Sequence, residues 1–316
     1  MMRAALLMTL TATLAASAAP ALATFPGANG EMVYTRLSDR GPGRVQGSLL
    51  AFDPRTRAER TVWECGAWPK VPRCDGIGTP AVSPDGGTAA VLSLEVAYGT
   101  SNPYRWRLNL IPLDGGAPEV VDVAASGVFV GGDRGRTLRW TGDGSGLSAG
   151  VMGIDGATIR PPRLTRRLGL DGALGGRVGP LGAHSLDWSS DGRATYVRRS
   201  ALFVLRTDGT PRRLVRGGVA DPSWSPGGRS VAFARRGQIW IVPSRGGKAT
   251  QLTRRGGGRP TWSPDGRRIA FVRKQQIHVL DPRSGRVRRV RSTPLDEGSD
   301  GPFFTSPLEW RPRARA

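Results

Sequence analysis

The chain has 316 residues and a formal net charge of +21 at pH 7, with 46 lysines and arginines against 25 aspartates and glutamates. This length allows about two ordinary domains or one large all-β ring. Two histidines and two cysteines are too few for a His-rich or Cys-rich metal site, and no D-x-D-x-D-G calcium loop is present. The sequence therefore predicts no metal site and no cofactor, and it leaves only calcium held by aspartate and backbone oxygens open.

The first 23 residues are typical of a secretory signal peptide. Arg3 gives a basic start, residues 4–16 are apolar, and Ala21-Leu22-Ala23 matches the small-x-small cleavage pattern. We expect cleavage before Thr24, which leaves residues 24–316 as one mature domain in the periplasm or outside the cell. An uncleaved anchor is the alternative, although this apolar run is short for a membrane span of about 20 residues.

One strand-rich unit recurs along the rest of the chain and is clearest in residues 259–291, "RPTWSPDGRRIAFVRKQQIHVLDPRSGRVRRVR". A short strand ending at Trp262 leads into the tight turn Ser263–Gly266, where proline and glycine suit the two corners. Three further β-rich segments follow, separated by a polar turn and a glycine-containing loop. The unit therefore predicts a small antiparallel sheet of four strands.

Five more copies of this unit precede or surround it. Trp224, Trp188 and Trp140 occupy the position of Trp262 in three of them, and Val82 occupies it in "TPAVSPDGGTAAVLSL". The sixth copy is split, because "FPGANGEMVYTR" near the start lacks the Trp strand and Trp310 near the end lacks the strands that follow. We expect the strand of Trp310 to complete the first blade and close an all-β, six-bladed propeller.

These motifs resemble the TolB-like family of six-bladed β-propeller repeats, whose consensus is close to P-x-W-S-P-D-G-x-x-I-A-F. The resemblance covers about residues 25–312 and is strongest over 186–290. It implies a periplasmic or secreted scaffold that binds other molecules without catalysis. We expect no counterpart of the N-terminal α/β domain of TolB, because the repeats begin just after the predicted cleavage site, so the partners of TolB are not implied.

Cys65 and Cys74 lie in "WECGAWPKVPRCDG", a loop between the first and second blades. In an oxidising compartment we expect these two residues to form a disulfide bond. A loop this short gains about 3 kcal/mol from the bond in the chain-entropy model. A metal site is the alternative, but no histidine lies nearby in the sequence.

Propeller connectivity assigns every turn to one of two faces. The turns between first and second and between third and fourth strands are short and mostly contain aspartate, and we call their side the turn face. The other side, the loop face, carries the turns between second and third strands, the links between blades, and long insertions such as 64–78 and 166–184. Elaborated loops on a rigid scaffold commonly carry binding sites.

The loop face of the last three blades is predicted to be basic and to bind the partner. Its candidate residues are Arg198, Arg199, Arg235, Arg236, Arg254, Arg255, Arg259, Arg273 and Lys274. The alternative is that the insertions only cover blade edges and that the arginines are solvated. Their abundance would then reflect the codon bias of a GC-rich genome. The residues before the repeat tryptophans are expected to line the central channel, where Arg139, Asp187 and Glu309 either bind a small ligand or cation or form a hydrated polar lining.

Gly146–Gly150 matches G-x-S-x-G, the nucleophile elbow of α/β-hydrolases, but that motif needs a strand, a sharp turn and a helix. Repeat register instead places Ser148 in a strand, and the histidines of the chain, His184 and His278, are expected in a linker and in a core strand. The match is therefore interpreted as chance, and no catalytic residue is predicted.

The predicted function is that of an exported, non-catalytic propeller scaffold, which we expect to be a monomer. It is predicted to bind a protein or an anionic polymer of the cell envelope through its loop face, since a large positive charge attracts anions. The alternative is a propeller enzyme, a lyase or hydrolase acting on an acidic polysaccharide or a peptide. Nucleic acid is disfavoured as a partner, because the basic residues are spread around the ring of an exported protein.

Overall fold

The computed structural model describes residues 26–39, 45–65, 76–96, 104–123, 128–130, 138–155, 158–159, 164–291 and 308–313. Within these ranges every regular element is a β-strand, as the sequence predicts. No helix long and apolar enough to cross a membrane is found in the described part of the chain.

The strands form six antiparallel sheets that follow one another along the chain, and we number them as blades 1 to 6. Blade 1 contains β1 (Asn29–Asp39), β2 (Val45–Phe52) and β3 (Glu59–Glu64). Blade 2 contains β4 (Gly76–Ile77), β5 (Ala81–Val82), β6 (Thr88–Val96), β7 (Tyr104–Pro112) and β8 (Glu119–Asp122). Blade 3 contains β9 (Val128–Val130), β10 (Leu138–Trp140), β11 (Leu147–Asp155), β12 (Thr158–Ile159), β13 (Leu164–Leu168) and β14 (Leu174–Val178).

The last three blades have four strands each, in the same order from the channel outward. Blade 4 contains β15 (His184–Trp188), β16 (Ala194–Arg198), β17 (Ala201–Leu205) and β18 (Pro211–Val215). Blade 5 contains β19 (Val219–Trp224), β20 (Ser230–Arg235), β21 (Gln238–Pro243) and β22 (Thr250–Gln251). Blade 6 contains β23 (Gly258–Trp262), β24 (Ile269–Arg273), β25 (Gln276–Leu280) and β26 (Val287–Arg291).

The last strand, β27 (Glu309–Pro312), closes the ring by joining blade 1. It pairs with β1 in antiparallel register, with Trp310 opposite Met32 and Glu309 opposite Val33. Closure also explains one glycine: Gly86 has φ +77°, and a Cβ at this position would lie 2.2 Å from the carbonyl oxygen of Pro312. The predicted six-bladed propeller, completed by its C-terminal strand, is confirmed.

The turn between the first and second strands is held by one short side-chain bond in four of the blades. In blade 6 the Ser263 hydroxyl donates to Asp265 Oδ1 at 2.5 Å and accepts from the Arg268 amide at 2.9 Å, so one side chain satisfies both arms of the turn. Equivalent pairs close the turns of three other blades: Ser83–Asp85, Thr141–Asp143 and Ser189–Asp191. These turns therefore fix blade register.

The repeat tryptophans pack between neighbouring blades. Trp224 is fully buried, and its indole Nε1 donates to the Asp187 carbonyl of blade 4 at 3.2 Å. Trp140 is 8% exposed and donates in the same way to the Ala81 carbonyl of blade 2 at 2.9 Å. A buried indole that also satisfies its N–H contributes large apolar area without an unpaired donor, so these residues form the core between blades.

Blade 3 departs from the sequence-based prediction. Residues 164–168 and 174–178 are its third and fourth strands, so the predicted loop-face insertion at 166–184 is wrong. The strand sequences LTRRL and LGGRV contain few β-branched or aromatic residues, so β propensity did not predict them as strands. Pairing shows them clearly, because β11 runs antiparallel to β13 and β13 to β14.

Candidate functional site

The loop face of blades 4 to 6 is built from three equivalent two-residue hairpin turns. Both residues of each turn have positive φ, as in the type I′ turns whose twist matches antiparallel strands. The turns are Arg199 (φ 49°)-Ser200 (φ 59°), Arg236 (φ 50°)-Gly237 (φ 70°) and Lys274 (φ 48°)-Gln275 (φ 59°). The first residue is basic and exposed in all three. The three blades therefore present a basic residue at the same place, in a left-handed conformation that non-glycine residues seldom adopt.

A second basic residue ends the strand before each turn, at Arg198, Arg235 and Arg273, and each is half-buried. The Arg235 guanidinium carbon lies 5.4 Å from the centre of the Trp240 ring, and that of Arg273 lies 5.1 Å from the Phe271 ring. Their guanidinium nitrogens also bind backbone of the links between blades.

The two backbone contacts are Arg235 Nη2 to the Arg216 carbonyl at 3.3 Å and Arg273 Nε to the Gly256 carbonyl at 3.0 Å. Since a carbonyl oxygen carries no net charge, these hydrogen bonds orient the guanidinium groups and leave their positive charge uncompensated. Burial, and after it the neighbouring charge of Arg255, lowers the pKa of Arg273 below the usual arginine value.

The two faces differ in how their arginines are neutralised. On the turn face the aspartates of the turns form ion pairs: Arg193–Asp191 at 2.6 Å, Arg268–Asp281 at 2.9 Å, Arg55–Asp53 at 3.2 Å, and Arg311–Asp114. On the loop face of blades 4 to 6, no carboxylate within the described ranges forms an ion pair with the basic residues of the hairpin turns or of the strand ends before them.

The remaining predicted loop-face residues lie around the link between blades 5 and 6. Arg254 and Arg255 are exposed in the link between β22 and β23. Arg259 instead belongs to β23, where it is half-buried with φ 54° next to a break in strand register between Gly258 and Thr261. Equivalent positive-φ residues, Ser185 and Asp221, occur at the same place in the innermost strands of blades 4 and 5. The structure therefore places Arg259 on the innermost strand of its blade.

A pocket of about 360 Å³ adjoins the loop face of blade 4. Its walls contain two predicted residues, Arg198 and Arg199, together with Phe203, Arg213 and Arg216. Arg213 and Arg216 were missed by sequence reasoning, which considered only turns and links with paired arginines. The repeat register could have identified Arg213, because it lies directly opposite Phe203 on the adjacent strand.

The three predicted channel residues meet in one buried ion network. Arg139 Nε lies 3.1 Å from Asp187 Oδ1, and Arg139 Nη2 lies 2.8 Å from Glu309 Oε1. The side chains of Arg139 and Asp187 are each 6% exposed and that of Glu309 is 17% exposed. Asp187 Oδ2 also accepts the backbone amide of Trp224 at 2.8 Å. The one guanidinium of Arg139 thus bridges two carboxylates, and the network joins blades 1, 3 and 4 across the channel.

The G-x-S-x-G residues have no geometry of a nucleophile elbow. Ser148 lies in β11, is 1% exposed, and its hydroxyl accepts from Trp188 Nε1 at 3.1 Å and contacts the Arg139 carbonyl at 3.4 Å. His278 lies in β25, stacked on Phe271 with 5.5 Å between ring centres, and burial lowers its pKa. His184 lies in β15 rather than in a linker, and burial lowers its pKa against the opposing charge of Asp221.

Two other predicted features lie partly or wholly outside the described ranges. Cys65 is 8% exposed just after β3, but Cys74 lies outside the described residues, so their disulfide bond stays a prediction. The signal peptide, residues 1–23, also lies outside them. In the part of the chain that the structure describes, no three His, Cys, Asp or Glu side chains are grouped as a metal site.

Comparisons with known proteins agree with this architecture. No family model and no curated protein sequence matches the chain. A solved structure described as a TolB from Agrobacterium tumefaciens is 20% identical, with a TM-score of 0.55 over 90% of this chain and 99% of that chain. The tricorn protease is 16% identical with a TM-score of 0.57, and a puromycin hydrolase is 18% identical with a TM-score of 0.51.

The two enzymes are larger than the matching region. The likeness covers 86% of this chain but 27% of the tricorn protease chain, and 88% of this chain but 49% of the puromycin hydrolase chain. At these sequence identities a structural likeness shows the fold and not the activity. The chain is therefore similar in fold to a TolB-like protein, as a six-bladed β-propeller closed by its last strand.

Proposed function

We propose that the protein is an exported, non-catalytic propeller scaffold that binds a protein or an anionic polymer of the cell envelope through the loop face of blades 4 to 6. The observation that carries this proposal is that no described carboxylate pairs with the row of basic side chains on that face. On the turn face, by contrast, aspartates of the turns pair with several arginines. Unpaired surface cations of one sign attract an extended anion over a distance of about a Debye length.

The arrangement suits an extended partner better than a point-like one. The basic residue at the start of each hairpin turn recurs in three successive blades, so the positive charge follows the arc of the ring. The type I′ turns fix the backbone of these residues, and Arg235 and Arg273 beside two of them are bonded to the links between blades. This order lowers the entropy cost of binding. A polymer or protein surface with several negative charges can contact more than one blade at once.

Export supports an envelope partner. The first 23 residues have the pattern of a cleaved signal peptide, and the predicted Cys65–Cys74 bond suits an oxidising compartment. A periplasmic or secreted location follows from both expectations. The similarity in fold to a TolB structure fits a scaffold role without identifying the partner.

The test is binding of the purified mature protein to its own isolated envelope fraction at low and high salt. Reversing Arg236, Arg255 and Lys274 to glutamate is expected to weaken binding at low salt at least about ten-fold and to flatten its salt dependence. The matched control reverses Arg283 and Arg286, which are exposed on the turn face of blade 6, and is expected to bind like the wild type.

Equal binding by both variants would contradict the proposal. Turnover of an acidic polysaccharide or a peptide that is lost on changing His184 or Ser148 would replace it with the enzymatic alternative.

A further inference from the structure

We propose that the pocket on blade 4 binds a phosphorylated sugar unit, with the phosphate held by Arg198, Arg199, Arg213 and Arg216 and the sugar packed on Phe203. This inference rests on the proposed function, because it names the chemistry of the anionic ligand. It adds a defined pocket to the basic surface of the loop face.

The pocket lies between two segments of blade 4. The turn between β16 and β17 supplies Arg198 and Arg199, and the end of the blade supplies Arg213 on β18 and Arg216 in the following link. Its volume of about 360 Å³ is at the lower end of the range of about 300–1,000 Å³ for small-molecule sites. One monosaccharide phosphate suits this volume better than a longer chain does.

The charge of the pocket favours a phosphate over a single carboxylate. No carboxylate in the described residues pairs with any of the four guanidinium groups, so like charges meet in one small volume. A phosphate monoester carries a charge of about −1.5 to −2 at pH 7 and has three strong acceptor oxygens. Because guanidinium groups bind phosphate through paired N–H donors, a phosphate relieves more of this repulsion than one carboxylate does.

The apolar side of the pocket is flat and fixed. Phe203 is half-buried and stacks on the buried Tyr196, with ring centres 5.3 Å apart and planes inclined by 5°. Ala201 adds further apolar surface to the lining. An aromatic face held this way offers a platform for the C–H face of a sugar ring beside the cationic groups.

Both rims of the pocket are tied to blade 5. The Ser200 carbonyl accepts the Val219 amide at 3.0 Å, and the Arg216 carbonyl accepts Arg235 Nη2 at 3.3 Å. The rims are thus positioned before a ligand arrives, which lowers the entropy cost of binding.

Blades 5 and 6 do not repeat this pocket. In blade 5 the position of Phe203 is taken by Trp240, which Arg235 of the same blade covers, and Gln251 stands opposite it in place of Arg213. In blade 6 the position is taken by His278, which is 8% exposed. The combination of a half-buried, pocket-lining phenylalanine and an arginine directly opposite it is thus specific to blade 4 among the last three blades.

The experiment is calorimetric titration of the mature protein with glucose 6-phosphate, glucose and inorganic phosphate. Glucose 6-phosphate is expected to bind at least about ten-fold more tightly than either fragment, since only it contacts both sides of the pocket. The double variant Arg213→Ala/Arg216→Ala is expected to lose at least about ten-fold in affinity. Arg289→Ala is the matched control, because Arg289 faces His278 in blade 6 as Arg213 faces Phe203 in blade 4.

Phe203→Leu tests the sugar side separately and keeps an apolar side chain of similar size. It is expected to weaken glucose 6-phosphate and to leave inorganic phosphate unchanged. Saturable binding that is the same in the double variant and the wild type, or no binding of glucose 6-phosphate, would overturn the proposal. Binding to phosphatidylglycerol vesicles that the double variant loses but glucose 6-phosphate does not displace would also overturn it, in favour of a lipid headgroup.

The two proposals fail in different ways. If glucose 6-phosphate does not bind while the Arg236, Arg255 and Lys274 reversals still weaken envelope binding, only the pocket assignment is wrong. If glucose 6-phosphate binds through Arg213 and Arg216 while the affinity for the envelope fraction is unchanged by those reversals, the proposed function of the loop face is wrong.

Discussion

Arg139 of blade 3 forms an ion pair with Glu309 of the closing strand, with Nη2 and Oε1 2.8 Å apart. Blades 1 and 3 are not neighbours in the ring, so this contact crosses the central channel. The same guanidinium reaches Asp187 of blade 4 at 3.1 Å. Ring closure therefore rests on a buried charge network in addition to the backbone pairing of β27 with β1.

Removing the cation of this network should be costly. Arg139→Met removes the guanidinium that pairs with both Asp187 and Glu309, and breaking a buried pair on one side costs about 3–5 kcal/mol. Denaturant unfolding of the mature domain measures the loss. Arg167→Met, an exposed position on β13 of the same blade, is the control and is expected to stay within about 0.5 kcal/mol of the wild type. A loss below about 1 kcal/mol in Arg139→Met would argue against the network as a structural element.

A second cluster joins blade 6 to blade 1 and predicts a pH dependence. Arg291 Nε lies 2.7 Å from Glu59 Oε2, and the Tyr34 hydroxyl donates to the same carboxylate. Burial alone would raise the pKa of Glu59, but hydrogen bonds from Arg291 and Tyr34 outweigh it and hold the pKa below the usual value. Burial and the bond to Glu59 in turn raise the pKa of Tyr34 far above the ordinary tyrosine value.

Because the folded pKa of Glu59 is depressed, its stabilisation is complete above the unfolded pKa of about 4.3 and is lost as the pH falls through the folded value. Glu59→Gln is expected to be less stable than the wild type by about 1–2 kcal/mol at pH 7, and this difference should shrink towards zero in acid. Unfolding midpoints of both proteins across this pH range provide the measurement. Glu119→Gln, exposed on β8, should show no such convergence; a constant difference for Glu59→Gln would disprove the assignment.

The repeat tryptophans should differ in their contribution to stability according to burial. Trp224 is fully buried, whereas Trp188 at the same repeat position is half-buried. Trp224→Ala is expected to cost about 3–5 kcal/mol and Trp188→Ala clearly less. Thermal unfolding of the two variants in parallel tests this order, and the reverse order would mean that burial at the blade seam does not set their contribution.

The predicted disulfide bond can be tested on natively exported protein. Alkylation without reductant should leave both cysteines unmodified, and alkylation after reduction should modify both. Cys65→Ser/Cys74→Ser is expected to lower the free energy of unfolding by about 3 kcal/mol. Mass spectrometry that finds two alkylated thiols before reduction would show that the bond does not form.

Much of the ring could be predicted because the repeat marks its own register. Trp262, Trp188 and Trp140 recur beside turns whose hydroxyl–Asp bond depends on neighbouring residues only, so local chemistry reveals these blades. The strand of Trp310 could be matched to the first blade, because the N-terminal copy lacks the Trp strand and the C-terminal copy consists of that strand alone. Blade 3 was harder, since β13 and β14 carry arginines and glycines where strands usually carry apolar residues.

The site was predicted in outline only. The basic turns Arg199, Arg236 and Lys274 could be assigned to one face from connectivity, because antiparallel strands alternate direction. Arg213 and Arg216 could not be joined to them, since their distance from Arg198 and Arg199 depends on the twist of blade 4 and on its link to blade 5.

Sequence periodicity was sufficient for blade number and for the division of turns between two faces, because each depends on residues close together in one repeat. It was also sufficient for ring closure, because the incomplete copies at the two ends of the chain complement each other. Only the folded ring decided that Arg139 forms ion pairs with both Asp187 and Glu309, and that four arginines share a pocket with Phe203. Those outcomes depend on distances between residues far apart in the chain, and such distances are set by packing between blades rather than by any local pattern.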